Sequence, residues 1–310
     1  VTVRDAATAW LSAYQDIYKP RTWSDHAANL HRRIVPLIGD KQLRRVTATD
    51  IERVLAAVKG SRQRQKVYRT LSRLFAYAAE MGWTLVNPLH GLPAPRHRYR
   101  RPALPSLDGL RQLYQHVLAR DDVAANFTGL LLLTGLRPGE AAALRWSDLD
   151  AERRLLWVRR AGAYIDGAWR EGPPKSAASE RIVPLNDDAL ALLERQRRHV
   201  ARLRERAGER WKERDLAFPG GRGAPVHRSV MHKWVRRVCK DAGIPSLRPH
   251  DLRHAHASLL IAAGAPLSDV SGRLGHARAN VTLALYSHVL RPGSELAALA
   301  TAALAGRAAE

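Results

Sequence analysis

Thr134-Gly135-Leu136-Arg137-Pro138-Gly139-Glu140 is the stretch on which the reading of this chain turns. Gly135 ends an apolar run, Val123 to Thr134, that reads as a helix, and Pro138 with Glu140 opens the next one. Arg137 stands at the junction, where a side chain can project into a cleft. Glu140, about one turn later, can hold its guanidinium. Alone, an Arg-Glu pair at a helix start is usually structural. Three downstream segments give it weight. Pro174-Lys175-Ser176 falls in or near a hairpin turn and runs into Arg181-Ile182-Val183-Pro184-Leu185. His250-Asp251-Leu252-Arg253-His254-Ala255-His256 places His250 and Arg253 three apart, on one face of a helix. Leu274-Gly275-His276 precedes Thr282-Leu283-Ala284-Leu285-Tyr286, and Tyr286 ends a short helix before Ser287-His288.

Outward from these segments the periodicity predicts two regions. In the first, Val3, Ala7, Trp10, Tyr14 and Ile17 follow helical spacing. A second helix is predicted from about Thr22 to Val35, stopping before Pro36 and Gly39. Thr47 and Asp50 form a loose capping box for a third, whose apolar stripe is Ile51, Val54, Leu55 and Val58. A fourth covers about Arg62 to Glu80, with Val67, Leu71, Leu74 and Phe75 inward and Gly82 as its stop. In the second region Ser106 opens a helix to about Ala119, ahead of the apolar one. Leu155–Val158, Ala163–Ile165 and Arg181–Val183, punctuated by glycines, read as one small antiparallel sheet. Helices return at about 187–206, 227–241, 250–263, 266–274, 279–286 and 294–305. The expected fold is mainly α with a small antiparallel β-sheet. Its parts are a helical domain at 1–92, a basic Pro-rich linker at 93–105 and an α+β domain at 106–310 that carries the C-terminal helix.

Charge narrows the partners. Of 310 residues, 51 are Lys or Arg and 29 are Asp or Glu, a net charge of +22. Such an excess is expected to meet a polyanion, most often nucleic acid. Residues 1–105 carry 19 basic and 7 acidic side chains, so the first third holds more than half of the excess. Arg62, Arg64, Lys66, Arg69 and Arg73 crowd the fourth helix, and Arg98, Arg100 and Arg101 lie in the linker. With few acids nearby, phosphate contact is favoured over a merely solvated face. The single cysteine, Cys239, allows no intrachain disulfide and fits a reducing cytosol. No apolar run reaches membrane-span length and no signal peptide opens the chain. It begins with Val1 rather than Met, which allows for a further N-terminal piece. A metal reading of His250 and His254, four apart, imitates a zinc-protease helix. Asp251 stands there in place of glutamate, Arg253 would repel a cation, and no third ligand is evident.

Taken in order, Arg137, Lys175, His250, Arg253, His276 and Tyr286 resemble the catalytic pattern of the tyrosine recombinases, or phage integrases. The local contexts are similar too: Thr-Gly-Leu-Arg-x-x-Glu, His-Asp-Leu-Arg-His, Leu-Gly-His, and a tyrosine ten residues after that histidine. Lys212 and Lys240 are poorer alternatives to Lys175. The resemblance covers nearly the whole chain and implies a core-binding domain at 1–92 and a catalytic domain at 106–310. It implies double-stranded DNA as partner, a tetramer on two sites, exchange through a Holliday junction, and a C-terminal segment that docks on a neighbouring protomer. It implies a 3′-phosphotyrosyl intermediate at Tyr286 with no metal or other cofactor, in a bacterial-type, nucleoid-associated cytoplasmic setting. Two arginines can grip phosphate oxygens with paired donors. A phenol titrates near ~10 and needs an acceptor such as His250. The leaving 5′-oxygen needs a proton, for which Lys175 is the candidate. The competing enzyme is a type IB topoisomerase, which would relax supercoils without recombined product. A non-catalytic DNA-binding regulator would explain the charge but not six such residues in order.

Overall fold

The computed structural model describes residues 1–97, 104–174 and 179–275. The chain divides into two compact units, Val1–Arg100 and Arg101–Glu310.

The first unit is helical: α1 (Val3–Ala13), α2 (Pro20–Asn29), α3 (Val35–Ile38), α4 (Ala48–Ala56) and α5 (Ser61–Glu80). Local chemistry sets several of these boundaries. The Thr2 hydroxyl accepts the Asp5 N–H while the Asp5 carboxylate accepts the Thr2 N–H, and Thr47 with Asp50 repeats the device at α4. Two expectations need correction. Helix α1 ends at Ala13, and Ile17 is 70% exposed rather than part of the apolar stripe. The chain leaves the helix there so that Tyr18 meets Trp10 edge-on, 6.1 Å between ring centres. The second helix does not stop before Pro36. It passes through a π turn, Leu30–Ile34, into α3, and Pro36 sits in the first turn of α3. Proline lacks an N–H and crowds the carbonyl four residues back. The wider turn, in which Val35 N–H reaches the Leu30 carbonyl, accommodates it. Val67, Leu71, Leu74 and Phe75 of α5 are fully buried against Trp10, Leu30, Ile34 and Ile51.

The second unit is built around α7 (Val123–Thr134), with α6 (Leu107–Ala119), α8 (Pro138–Ala142), α9 (Asp187–Ala207), α10 (Arg228–Asp241), α11 (Pro249–Ala262) and α12 (Leu267–Leu274). Helix α7 is apolar on nearly all sides and is therefore central: α6, α9, α10 and α11 pack on it. Asp122 caps it by accepting the Ala124 and Ala125 N–H groups. The strands are β1 (Leu149–Asp150), β2 (Leu155–Val158), β3 (Ala161–Ile165), β4 (Ala168–Gly172) and β5 (Arg181–Pro184). They form two sheets, not the single sheet expected. One is antiparallel β1-β2-β5, with Leu156 opposite Val183, and the other is the β3–β4 hairpin. The break falls at Arg159-Arg160, where Arg160 turns to ion-pair with Asp148 and Glu171. Strand β4 has no fully buried residue, so no apolar alternation marked it in the sequence. Among the described residues no helix is long and apolar enough to cross a membrane.

Candidate active site

Two helix starts use the same local device. Arg137 is the N-cap of α8, Pro138 its first residue, and the Glu140 carboxylate accepts the Arg137 backbone N–H at 2.9 Å. Arg248 is the N-cap of α11, Pro249 its first residue, and Asp251 accepts the Arg248 backbone N–H at 2.9 Å. Proline at the first position and a carboxylate at the third satisfy the start of a helix without a serine or threonine. The device leaves Arg137 projecting from one helix start and His250 standing in the first turn of the other.

Gly135 makes the first turn possible. Its φ is +65°, and a Cβ there would lie 2.6 Å from His256 Cδ2 and 2.9 Å from Leu274 Cδ2. The Gly135 carbonyl accepts from Arg253 Nη1 at 2.7 Å, and Arg253 Nη2 donates to the Leu274 carbonyl at 2.5 Å. Arg137 Nη2 donates to the next carbonyl, Gly275, at 2.7 Å, across 138 positions of sequence. The two arginines thus converge on the last residues before His276. Their environments differ. Arg253 is buried, whereas 29% of the Arg137 side chain is exposed.

Glu140, 2% exposed, binds Arg137 Nη1 at 2.7 Å and also receives a fork from Arg181, at 3.2 and 3.0 Å. Burial opposes its ionisation, but the hydrogen bonds and charge of Arg181, with those of Arg137, outweigh it and hold its pKa below the ordinary carboxylate value. His256 donates from Nδ1 to the Leu132 carbonyl at 2.9 Å and accepts from Arg273 Nε at 3.0 Å. Burial, then the charge of Arg273, lowers it to about 4, so the ring is neutral. His250 meets His254 edge-on at 4.9 Å. Loss of solvent around its ring, then His254 and Arg253, lower its pKa to about 4. Because His250 as a residue is exposed, screening softens that shift, but every neighbouring charge except Asp251 acts in the same direction. A neutral imidazole results, able to accept a proton.

Of the residues expected at the site, Arg137, Glu140, His250 and Arg253 are brought together. Lys175, His276 and Tyr286 lie outside the described residues, as do Arg98, Arg100, Arg101 and the helices expected at 279–286 and 294–305. On α5, Arg62, Arg69 and Arg73 are exposed. Lys66 is half-buried and paired with Asp25 at 3.0 Å, and Arg64 is half-buried with Nη2 on the Val58 carbonyl. Asp251, which held the general-base position of the zinc-protease spacing, is engaged by Arg248 at 2.8 Å. Among the described residues no three metal-ligating side chains cluster.

Sequence reading missed Arg181, His256 and Arg273, whose partners lie far away in the chain. It also missed a basic cleft of about 500 Å³ lined by His227, Arg228, His232, Lys233, Arg236 and Arg248. The signal was available: Arg228, His232 and Arg236, all lining the cleft, recur four residues apart along one helix. Arg248 joins this cleft to the first turn of α11.

The chain matches the phage integrase family over residues 107–291. It is 32% identical over 163 residues to the ICEBs1 integrase of Bacillus subtilis, a match covering 53% of this chain and 44% of that protein. It spans less than two thirds of the length of this curated relative and of the next, at 44% and 63%. Its fold is similar to that of a Tn1549 transposon integrase in complex with a circular intermediate DNA. There the TM-score is 0.72 at 18% identity, over 92% of this chain and 94% of that one. It is also similar to a lambda integrase tetramer bound to a Holliday junction, with a TM-score of 0.64 at 19% identity, over 90% and 78% of the two chains.

Proposed function

The chain belongs to the phage integrase family, and on that premise we propose that it is a site-specific DNA recombinase, cutting and rejoining strands through a 3′-phosphotyrosyl bond to Tyr286. The observation that carries the reading is the convergence of Arg137 and Arg253 on the neighbouring carbonyls of Gly275 and Leu274, immediately before His276. Both helix starts that bear site residues meet there.

A phosphodiester resists attack because its oxygens repel a nucleophile, and charge builds on the nonbridging oxygens in the transition state. Each terminal nitrogen of Arg137 gives one N–H to the protein and carries a second. Those second donors serve the phosphate. Arg253, more deeply set, adds charge and fixes the turn. His276 supplies a further hydrogen bond. Losing one such contact costs roughly 100- to 1,000-fold in rate, by analogy with oxyanion donors. The Tyr286 phenol gives its proton to neutral His250 as its oxygen bonds to phosphorus. The bond from phosphorus to the 5′-oxygen breaks, and Lys175 protonates the leaving group. The phosphotyrosine conserves the bond energy, so a 5′-hydroxyl of another strand reverses the step without ATP.

Double-stranded DNA is held by the exposed cations of α5, by the linker arginines and by the basic cleft at α10. Protomers assemble as a tetramer on two sites, in the bacterial cytoplasm at the nucleoid. Tyr286→Phe tests the reading. The variant should bind cognate DNA as the parent does but leave no protein-linked DNA on a denaturing gel. An adduct that persists removes Tyr286 as nucleophile. Supercoil relaxation by the parent without recombined product moves the protein to the topoisomerase class.

A further inference from the structure

Arg181 has no part in the chemistry described above, yet its side chain makes four hydrogen bonds at the site. Only 6% of it is exposed. Nη1 and Nη2 form a fork on the two Glu140 oxygens at 3.2 and 3.0 Å, Nη1 also donates to the Ser179 carbonyl at 3.0 Å, and Nε donates to the Arg273 carbonyl at 2.7 Å. A guanidinium has five N–H donors, and four are spent here on protein. Arg181 is therefore in no position to touch a DNA phosphate.

What it touches instead are the two anchors of Arg137. The first is Glu140, whose carboxylate takes Arg137 Nη1 on one oxygen and the Arg137 backbone N–H on the other. The second is the end of α12, where Arg273 leads into Leu274 and into the Gly275 carbonyl that holds Arg137 Nη2. A buried carboxylate must be neutralised by its partners. Without Arg181, Arg137 alone faces the Glu140 charge and is drawn inward onto it. With Arg181 in place, Glu140 is balanced from behind, and its pull on the Arg137 guanidinium is one hydrogen bond of fixed direction. Lysine cannot reproduce the fork, because an ammonium is a point charge.

We propose that Arg181 is a positioning residue for Arg137, holding Glu140 and the end of α12 so that the Arg137 guanidinium faces the scissile phosphate. The inference rests on the phosphate-gripping role proposed for Arg137.

The test compares cleavage of an ordinary phosphodiester substrate with cleavage of one carrying a neutral methylphosphonate at the scissile position. The full chain is used as parent, Arg137→Ala, Arg181→Met and Arg181→Lys. Removing the negative oxygen removes the need for a guanidinium, so Arg137→Ala should be slow on phosphate and restored on methylphosphonate. Arg181→Met should lose about 10- to 100-fold on phosphate, by analogy with removing a hydrogen-bonding partner behind a metal-ligating side chain. It too should be restored on methylphosphonate, with Arg181→Lys behaving likewise and DNA affinity little changed. A purely structural role would depress both substrates by the same factor, and that result overturns the inference. Failure of Arg137→Ala to be restored would instead overturn the role given to Arg137 itself. Should Arg181→Met not fold, Arg181→Lys, which keeps the buried positive charge but not the fork, carries the comparison alone. If no Arg181 variant folds, the residue belongs to stability and the inference falls.

Discussion

Gly135→Ala gives the sharpest test of how the site is built. The residue sits at φ +65°, where an alanine costs about 1–2 kcal/mol because its Cβ crowds the carbonyl that follows it. The same Cβ would lie 2.6 Å from His256 Cδ2 and 2.9 Å from Leu274 Cδ2. His256 cannot swing aside without losing both its Leu132 and Arg273 hydrogen bonds. Forcing a methyl into such a place costs about 1–3 kcal/mol more. The sum, about 2–5 kcal/mol, should lower the melting temperature of the second unit by roughly 5–15 °C. Thermal denaturation measures this directly. Gly272→Ala is the internal control. That glycine is in the interior of α12 and, among the described residues, a Cβ there meets nothing within 4 Å. The alanine should stabilise by up to about 1 kcal/mol. Cleavage measured well below the melting temperature should also drop in Gly135→Ala, since the displaced carbonyl is the one that binds Arg253. A Gly135→Ala protein that melts and cleaves like the parent would refute the claim that this turn sets the position of Arg253.

Other expectations follow from the same geometry. His256 is held near a pKa of about 4 against an ordinary 6.5, so the unfolded chain takes up its proton first as pH falls. Its contribution, about 3 kcal/mol, is whole above pH ~6.5 and is lost on descent towards pH ~4. Urea unfolding over that window should be steeper in pH for the parent than for His256→Asn, and equal slopes would contradict the assignment. Lys175→Ala should cleave ordinary DNA very poorly but a 5′-bridging-sulfur substrate well, because sulfur leaves without a proton. A sulfur substrate that gives no restoration removes Lys175 as the acid. Affinity for DNA should fall by about 10³–10⁵ between about 50 and 200 mM salt if some 6–10 phosphates are contacted. A nearly flat response would mean that the basic excess is not a DNA footprint.

Much of this protein is local and so can be read along the chain. Helix starts are written in a few adjacent residues: Thr47 with Asp50, Ser106, Asp122, and Pro138 with Glu140. Core faces follow from helical spacing, as in Val67, Leu71, Leu74 and Phe75, because burial selects apolar side chains one turn apart. The pairing of Arg137 with Glu140 was legible for the same reason, the two being three residues apart. Continuation of a helix through Pro36 was not, since a π turn has no composition of its own. Nor was β4, an exposed strand with no apolar alternation.

The residues assigned to the site were chosen by kind and order along the chain, but what each described one holds was decided only in three dimensions. Arg253 grips the carbonyls of Gly135 and Leu274, Arg137 that of Gly275, and Arg181 that of Arg273. Every residue carries a carbonyl, so a bond from a side chain to a distant backbone leaves no mark in the sequence. Glu140 could be assigned one arginine from its spacing, but the second comes from a strand 41 positions away and depends on where that strand packs. The order of residues along the chain therefore settles which groups are present and which helices present them. Packing in space settles which of those groups are buried and spent on one another, as Arg181 is, and which, like Arg137, stay partly exposed.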